Sequence, residues 1–222
     1  MDIGNPESFS SSVRYRPWIG HFFGDATSKR VLNLSQAVRL LILGESHYVY
    51  GRFKSSAEES NLTNAVIEDL AFTHHRFFTR IAAAVFNIEP AAVSANQALC
   101  EAFWHQVAFY NFVQFPMSDP TERPSRAQFV ASSDAFGEVT SFLKPTHVWV
   151  CGSTLWRNMP YNGDGEWRFE DATSQLSTSF PIGRYYFRDH QFLAMPTHHP
   201  SYRRFSLSDA KTALSFFLNQ AY

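Results

Sequence analysis

Apolar positions along the chain fall either into short unbroken runs or into helical spacing, and the two patterns alternate. VRLLIL at 38–43 is an unbroken run that stops at Gly44. A stretch of Leu, Ile and Val of that length predicts a strand buried on both faces, as in a parallel sheet, and the glycine lets the backbone turn at its end. In NLTNAVIEDLAFTHHRFFTRIAAAVF, Leu62, Val66, Ile67, Leu70, Phe77, Phe78, Ile81 and Val85 recur near helical spacing, which predicts one long helix or two. Pro90 opens a further helical stretch, AAVSANQALCEAFWHQ. VAFYNFVQF at 107–115, rich in aromatic and β-branched residues, predicts a second strand ending at Pro116, with the polar Asn111 inside it.

Further along, SRAQFVASSDAFGEVTSFLK predicts a helix stopped by Pro145, and THVWVCG repeats the strand-then-glycine signature before a short helix opened by Ser153 and Trp156. RYYF and QFLAMP, around a turn at Asp189 and His190, predict paired strands. A last helix carries Ala210, Leu214, Phe217 and Leu218 on its apolar side. Trp18–Phe23 fits either a short helix or an aromatic lid. Residues 1–12, polar and serine-rich, predict a disordered tail, and 160–183, rich in Gly, Asp, Ser and Pro, an insertion or long loop. Strands alternating with helices predict an α/β fold, a three-layer sandwich around a central four-stranded parallel sheet, in a single domain spanning 1–222.

Composition narrows the functional classes. With 222 residues, 45% hydrophobic and 16% aromatic, the chain can bury one substantial core. A formal net charge of −1 gives no global attraction to nucleic acid or anionic membrane, although a local basic patch stays open. The 2 cysteines, Cys100 and Cys151, cannot build a four-thiolate zinc or iron–sulfur site and fit small core residues. The amino-terminal stretch has no charged and apolar leader pattern, and no apolar run is long enough for a membrane span. The expectation is a cytoplasmic protein, a monomer, with no membrane association, no metal and no cofactor. His74 and His75 lack the i+4 partners of a helical metal site and fit surface or hydrogen-bonded histidines. A Walker-type phosphate loop and HExxH are both absent.

In open α/β sheets ligands bind outside the carboxyl ends of the strands, which makes Glu45, Ser46, His47 and Tyr48 site candidates. The same residues also fit a plain turn with a helix N-cap at Ser46. Asn111 must satisfy its amide, either against neighbouring backbone or against a ligand.

Taken in order, GESHY after the first strand, FYNFVQ in the second, VWVCG in the third and HHPSYRRFS after the last resemble the uracil-DNA glycosylase superfamily over residues 38–206. The resemblance implies a loop that holds the hydrolytic water, matched by Gly44 and Tyr48, and a base-reading amide, matched by Asn111. It also implies a His-Pro-Ser loop that grips base and backbone, matched by His199, Pro200 and Ser201. Ser46 stands where well-known members carry the catalytic Asp, and His47 replaces a proline. Glu45 follows the glycine, as a Glu does in the iron–sulfur branch, but this chain lacks that branch's cysteines, so no iron–sulfur cluster is expected.

Hydrolysis of an N-glycosidic bond builds positive charge on the sugar and negative charge on the base, so it wants a carboxylate near one and donors near the other. Under that resemblance Glu45 orients water or stabilises the cation, with Ser46 beside it, and a neutral His199 stabilises the departing base. Asn111 reads the base edge, and Tyr48 or Phe53 stacks on it. Ser201, Tyr202, Arg203 and Arg204 would meet the nucleic-acid backbone, single- or double-stranded, around a flipped base; solvated surface arginines are the plainer alternative. Two other functions fit the residues: a nucleobase- or nucleic-acid-binding domain that has lost hydrolysis, and a serine esterase like the SGNH hydrolases, with Ser46 as nucleophile in a strand-then-GES block. No histidine has an Asp three residues before it, as that second family requires.

Overall fold

The computed structural model describes residues 9–48, 55–73, 75–119, 121–176 and 178–222. The chain enters through a two-residue strand β1 (Trp18–Ile19) and a short helix α1 (Ser28–Val31), then runs into the long strand β2 (Leu40–Tyr48). Helices α2 (Ser56–Ser60) and α3 (Leu62–Val66), one π-helical turn at Ile67–Ala71, and helices α4 (Arg76–Phe86), α5 (Pro90–Ser94) and α6 (Gln97–Trp104) lead to β3 (Ala108–Met117). Helices α7 (Arg126–Ala131) and α8 (Ser133–Leu143) precede β4 (His147–Cys151), and α9 (Ser153–Arg157) follows it. β5 (Trp167–Asp171), β6 (Gly183–Phe187), β7 (His190–Thr197) and α10 (Leu207–Phe217) complete the chain.

The fold is α/β. The described strands form one 7-stranded mixed sheet in the order β1-β3-β2-β4-β7-β6-β5. β2 is parallel to both β3 and β4, and β4 is parallel to β7, while β1, β6 and β5 attach antiparallel. The sheet is therefore larger than the expected four-stranded one: the expected pairing of RYYF with QFLAMP adds β6 antiparallel to β7, and β1 and β5 are further antiparallel strands that the apolar runs do not announce. Alternation along β2 splits the core: Leu40 and Ile42 join one apolar cluster with α4, α6 and α10, while Leu41 and Leu43 join another with α8. Helices thus cover both faces.

Four local expectations are corrected. The glycine at 44 does not end the strand: β2 continues to Tyr48, its register against β3 running through Gly44↔Asn111 and Ser46↔Val113 before an irregularity between Ser46 and Tyr48. Backbone pairing with β3 overrides the local turn signal there. Within 160–183 lies β5, whose Trp167 and Phe169 pack among Phe136, Tyr185 and Phe187, so packing makes a strand from a Gly-rich segment. Of residues 1–12, only 9–12 are described, and they are tied down: the Ser10 N–H donates to Glu138 Oε1 at 2.6 Å, and Phe9 packs on Phe142. The single helix expected over SRAQFVASSDAFGEVTSFLK is two, with Ser132 separating α7 from α8, whereas the stretch before Pro90 forms two helical segments, 62–71 and Arg76–Phe86, as one of its two expectations had it.

Candidate functional site

The mutual parallelism of β3, β2, β4 and β7 puts their carboxyl ends along one edge. Asn111 lies beside Gly44 in register, only 7% exposed. A Cβ at position 44 would sit 2.1 Å from Asn111 Oδ1 and 3.1 Å from Phe109 Cζ. The glycine is thus required by a close approach: the carboxamide fills the space a side chain would take. The Asn111 main chain is pinned by Gln114, whose Nε2 donates to the Asn111 carbonyl at 2.9 Å while its Oε1 accepts from the Tyr15 N–H at 2.8 Å. Among the described residues the Asn111 carboxamide itself makes no hydrogen bond, so the neighbouring-backbone alternative is not what it does. With its donor and its acceptor both free, the carboxamide can pair with the edge of a ligand.

His199 sits where the chain leaves β7. Gly152, just after β4, has φ +139° and would place a Cβ 3.9 Å from His199 Cβ, so His199 lies beside the end of β4 as well. Phe77 of α4 stacks on the ring with centroids 4.9 Å apart and also meets Phe109 edge-on at 6.3 Å. Phe109, Phe77 and His199 therefore form a continuous aromatic wall from Gly44 to the last loop. The Ser201 N–H donates to His199 Nδ1 at 3.2 Å, which puts the proton of the neutral ring on Nε2. Burial, helped by the positive charge of Arg123, pushes the imidazole down to about 4, so at neutral pH it is an uncharged donor. From α4, Arg80 Nη1 donates to the Pro200 carbonyl at 2.6 Å and lies over the Phe205 ring, which fixes the loop from below.

Glu45 has the strand parity of Leu41 and Leu43, so it leaves β2 on the face opposite to Gly44 and Asn111. Its carboxylate lies 3.8 Å from Arg123 Nη1, and the same nitrogen donates to the Tyr48 hydroxyl at 3.3 Å. Burial raises the Glu45 carboxyl above its ordinary value, and Arg123 opposes that rise. The Glu45 carboxylate and the Asn111 amide thus approach the sheet edge from its two sides, and the positive charge of Arg123 acts on both Glu45 and His199.

The remaining candidates divide. Ser46 is buried, and its hydroxyl has no partner among the described residues. His47 is a core histidine: its Nε2 pairs with Thr63 Oγ1 at 3.0 Å, its ring meets Tyr15, and burial pushes it down to about 3. Ser201, Tyr202, Arg203 and Arg204 are all exposed on the last loop, with Tyr202 6.3 Å from His198. Phe53 and His74 lie outside the described residues. Two residues that sequence reasoning missed belong to the site. Phe77 carried only a helical-core signal; Arg123, in a loop between two prolines, carried none. Among the described residues no cluster of His, Cys, Asp or Glu could hold a metal, both cysteines are buried free thiols, and no helix is long and apolar enough to cross a membrane. Against known proteins, the chain matches no family model and no curated sequence.

Proposed function

We propose that this chain is a glycosylase-like hydrolase that cleaves the N-glycosidic bond of a uracil or other damaged base flipped out of DNA, working as a cytoplasmic monomer. The observation that carries the reading is the buried, unbonded Asn111 carboxamide held against Gly44. An amide offers one donor and one acceptor side by side, the complement of a pyrimidine edge. The aromatic wall of Phe77 and His199 beside it can bound a flat ring. The His199 Nε2–H is the donor for the anion that grows on the departing base, and a neutral imidazole suits that role because it needs no proton returned first. The Glu45 carboxylate, partly buried on the other side of the strand end, is the group to orient water or face the cationic sugar. Exposed Arg203 and Arg204 supply phosphate contacts.

The esterase alternative loses support, since Ser46 Oγ is buried without a hydrogen bond to any histidine among the described residues, and a serine nucleophile needs an adjacent base. A binding domain without hydrolysis remains the competing outcome, because Ser46 occupies the position of the family's Asp. The test is a panel of single-stranded and duplex oligonucleotides carrying uracil, hypoxanthine, xanthine or alkylated bases, scored for abasic sites and for binding. Excision is expected from wild type, with none from Glu45→Gln. His199→Ala should lose about 10² to 10³ in single-turnover rate with a much smaller change in affinity. Salt-dependent binding without abasic sites on any substrate would favour the binding domain.

A further inference from the structure

We propose that Arg123 is the charge-setting positioning residue of this site: its guanidinium, steadied by the Tyr48 hydroxyl and 3.8 Å from the Glu45 carboxylate, supplies a positive charge that favours an ionised Glu45 and a neutral His199. The role rests on the glycosylase reading of Glu45 and His199, and it concerns a residue that neither the apolar pattern nor the resemblance marks.

The geometry is asymmetric in a way that suits such a role. The Glu45 side chain is 13% exposed while Arg123 is 64% exposed, so the carboxylate has given up most of its water and the arginine has not. A half-dry carboxylate tends to pick up a proton, and an arginine close by is the group that cannot lose its own. One nitrogen, Nη1, reaches both Tyr48 Oη at 3.3 Å and Glu45 Oε1 at 3.8 Å, which aims the guanidinium without closing a tight ion pair. The carboxylate is thereby kept charged yet not clamped, as a group that must face a cation or a water requires. Pro124 is buried and biases Arg123 to an extended backbone. The preceding turn is braced by Glu122 Oε2, which accepts from the Ser118 N–H at 2.7 Å. The arginine is therefore presented from an anchored loop.

Other charged groups nearby are turned elsewhere. His47, next but one on β2, is directed to Thr63 and Tyr15; His198 faces Ser153 and Tyr202; Arg80 is engaged with the Pro200 carbonyl and Phe205. Burial is the larger influence on both groups, raising Glu45 and lowering His199; among the described residues Arg123 is the charge that acts on both, opposing the first shift and adding to the second. Both effects favour the working pair, a carboxylate and a neutral imidazole donor.

The test uses Arg123→Gln, which can still hydrogen-bond Tyr48 but carries no charge, together with Arg123→Lys. Side-chain NMR titrations of the Glu45 carboxyl and the His199 ring read the proposal directly and need no substrate. In Arg123→Gln both should titrate at higher pH, by about one unit for a nearby charge removed, and Arg123→Lys should return both toward wild type. On an excised substrate, the acid limb of the pH–rate profile of Arg123→Gln should move to higher pH by a similar amount. Unchanged titrations in Arg123→Gln, or a lysine variant indistinguishable from it, would overturn the charge-setting role. Shifted titrations in a protein that excises nothing would uphold that role and reject the glycosylase reading alone.

Discussion

Gly44 and Asn111 compete for one volume, and the close approach of the amide decides it. In Gly44→Ala the new methyl would stand 2.1 Å from Asn111 Oδ1, far inside contact distance, and the adjacent Phe109 ring is buried and cannot yield easily. The carboxamide is the softer neighbour, because no hydrogen bond from the described residues holds it in place. Gly44→Ala is therefore expected to turn Asn111 away and reproduce the Asn111→Ala phenotype, with base affinity weakened about 10- to 100-fold as for loss of one paired base contact. Equilibrium binding of an oligonucleotide carrying the excised base, compared for both variants and the double mutant, checks this. Additive losses in the double mutant would show that the two residues act separately.

At the scale of elements, α4 and α8 do different work. α4 carries Phe77 and Arg80 to the His199 loop, so a helix on one face of the sheet sets the geometry of a loop at its edge. α8 only closes the opposite face, and it does so at a glycine: a Cβ on Gly137 would meet the Phe187 ring at 2.4 to 2.8 Å. Two effects oppose each other in Gly137→Ala. Helix propensity favours alanine by about 1 kcal/mol, whereas forcing a methyl into a filled core costs about 1 to 3 kcal/mol. Phe187 is 4% exposed and packed against Trp167 with ring centroids 4.5 Å apart, so packing should win, and Gly137→Ala should lower the midpoint of urea unfolding. Adding Phe187→Leu should recover part of the loss. A raised midpoint in the single variant would mean that the ring moves aside freely.

For the whole molecule, buried histidines tie stability to pH. His47 and His147 are held neutral by burial, down to about 3 and about 4 respectively, whereas in the unfolded chain each takes a proton near 6.5. Between those values the unfolded state binds more protons, so stability is complete above about pH 6.5 and falls as pH is lowered, by up to ~1.4 kcal/mol per pH unit for each group. Glu45, raised by burial, works in the opposite sense but is a single group. Urea unfolding at pH 7.5, 6 and 5 should show falling midpoints, with a shallower fall in His47→Gln, whose amide can still meet Thr63. Midpoints that stay level from 7.5 to 5 would show that these histidines accept protons in the fold.

What the chain determined locally is what depends on unbroken apolar runs and helical spacing. Leu40–Leu43, Val148–Val150 and the apolar side of α10 are legible because burial on both faces, or on one, writes its period into the residues. The motifs GESHY, FYNF and HHPS marked Gly44, Asn111 and His199, and the sheet brings the three to one edge through parallel pairing. Long-range pairing and packing decided the rest. β2 runs past its glycine because β3 pairs with it, and β5 forms in a Gly-rich segment because β6 and the Trp167–Phe136 stack hold it there. Phe77 and Arg123 are separated from His199 and Glu45 by more than seventy residues of chain, and no local pattern encodes a contact between such distant positions. The period of a segment reports only which of its own faces is buried; which group stands opposite is settled by the fold.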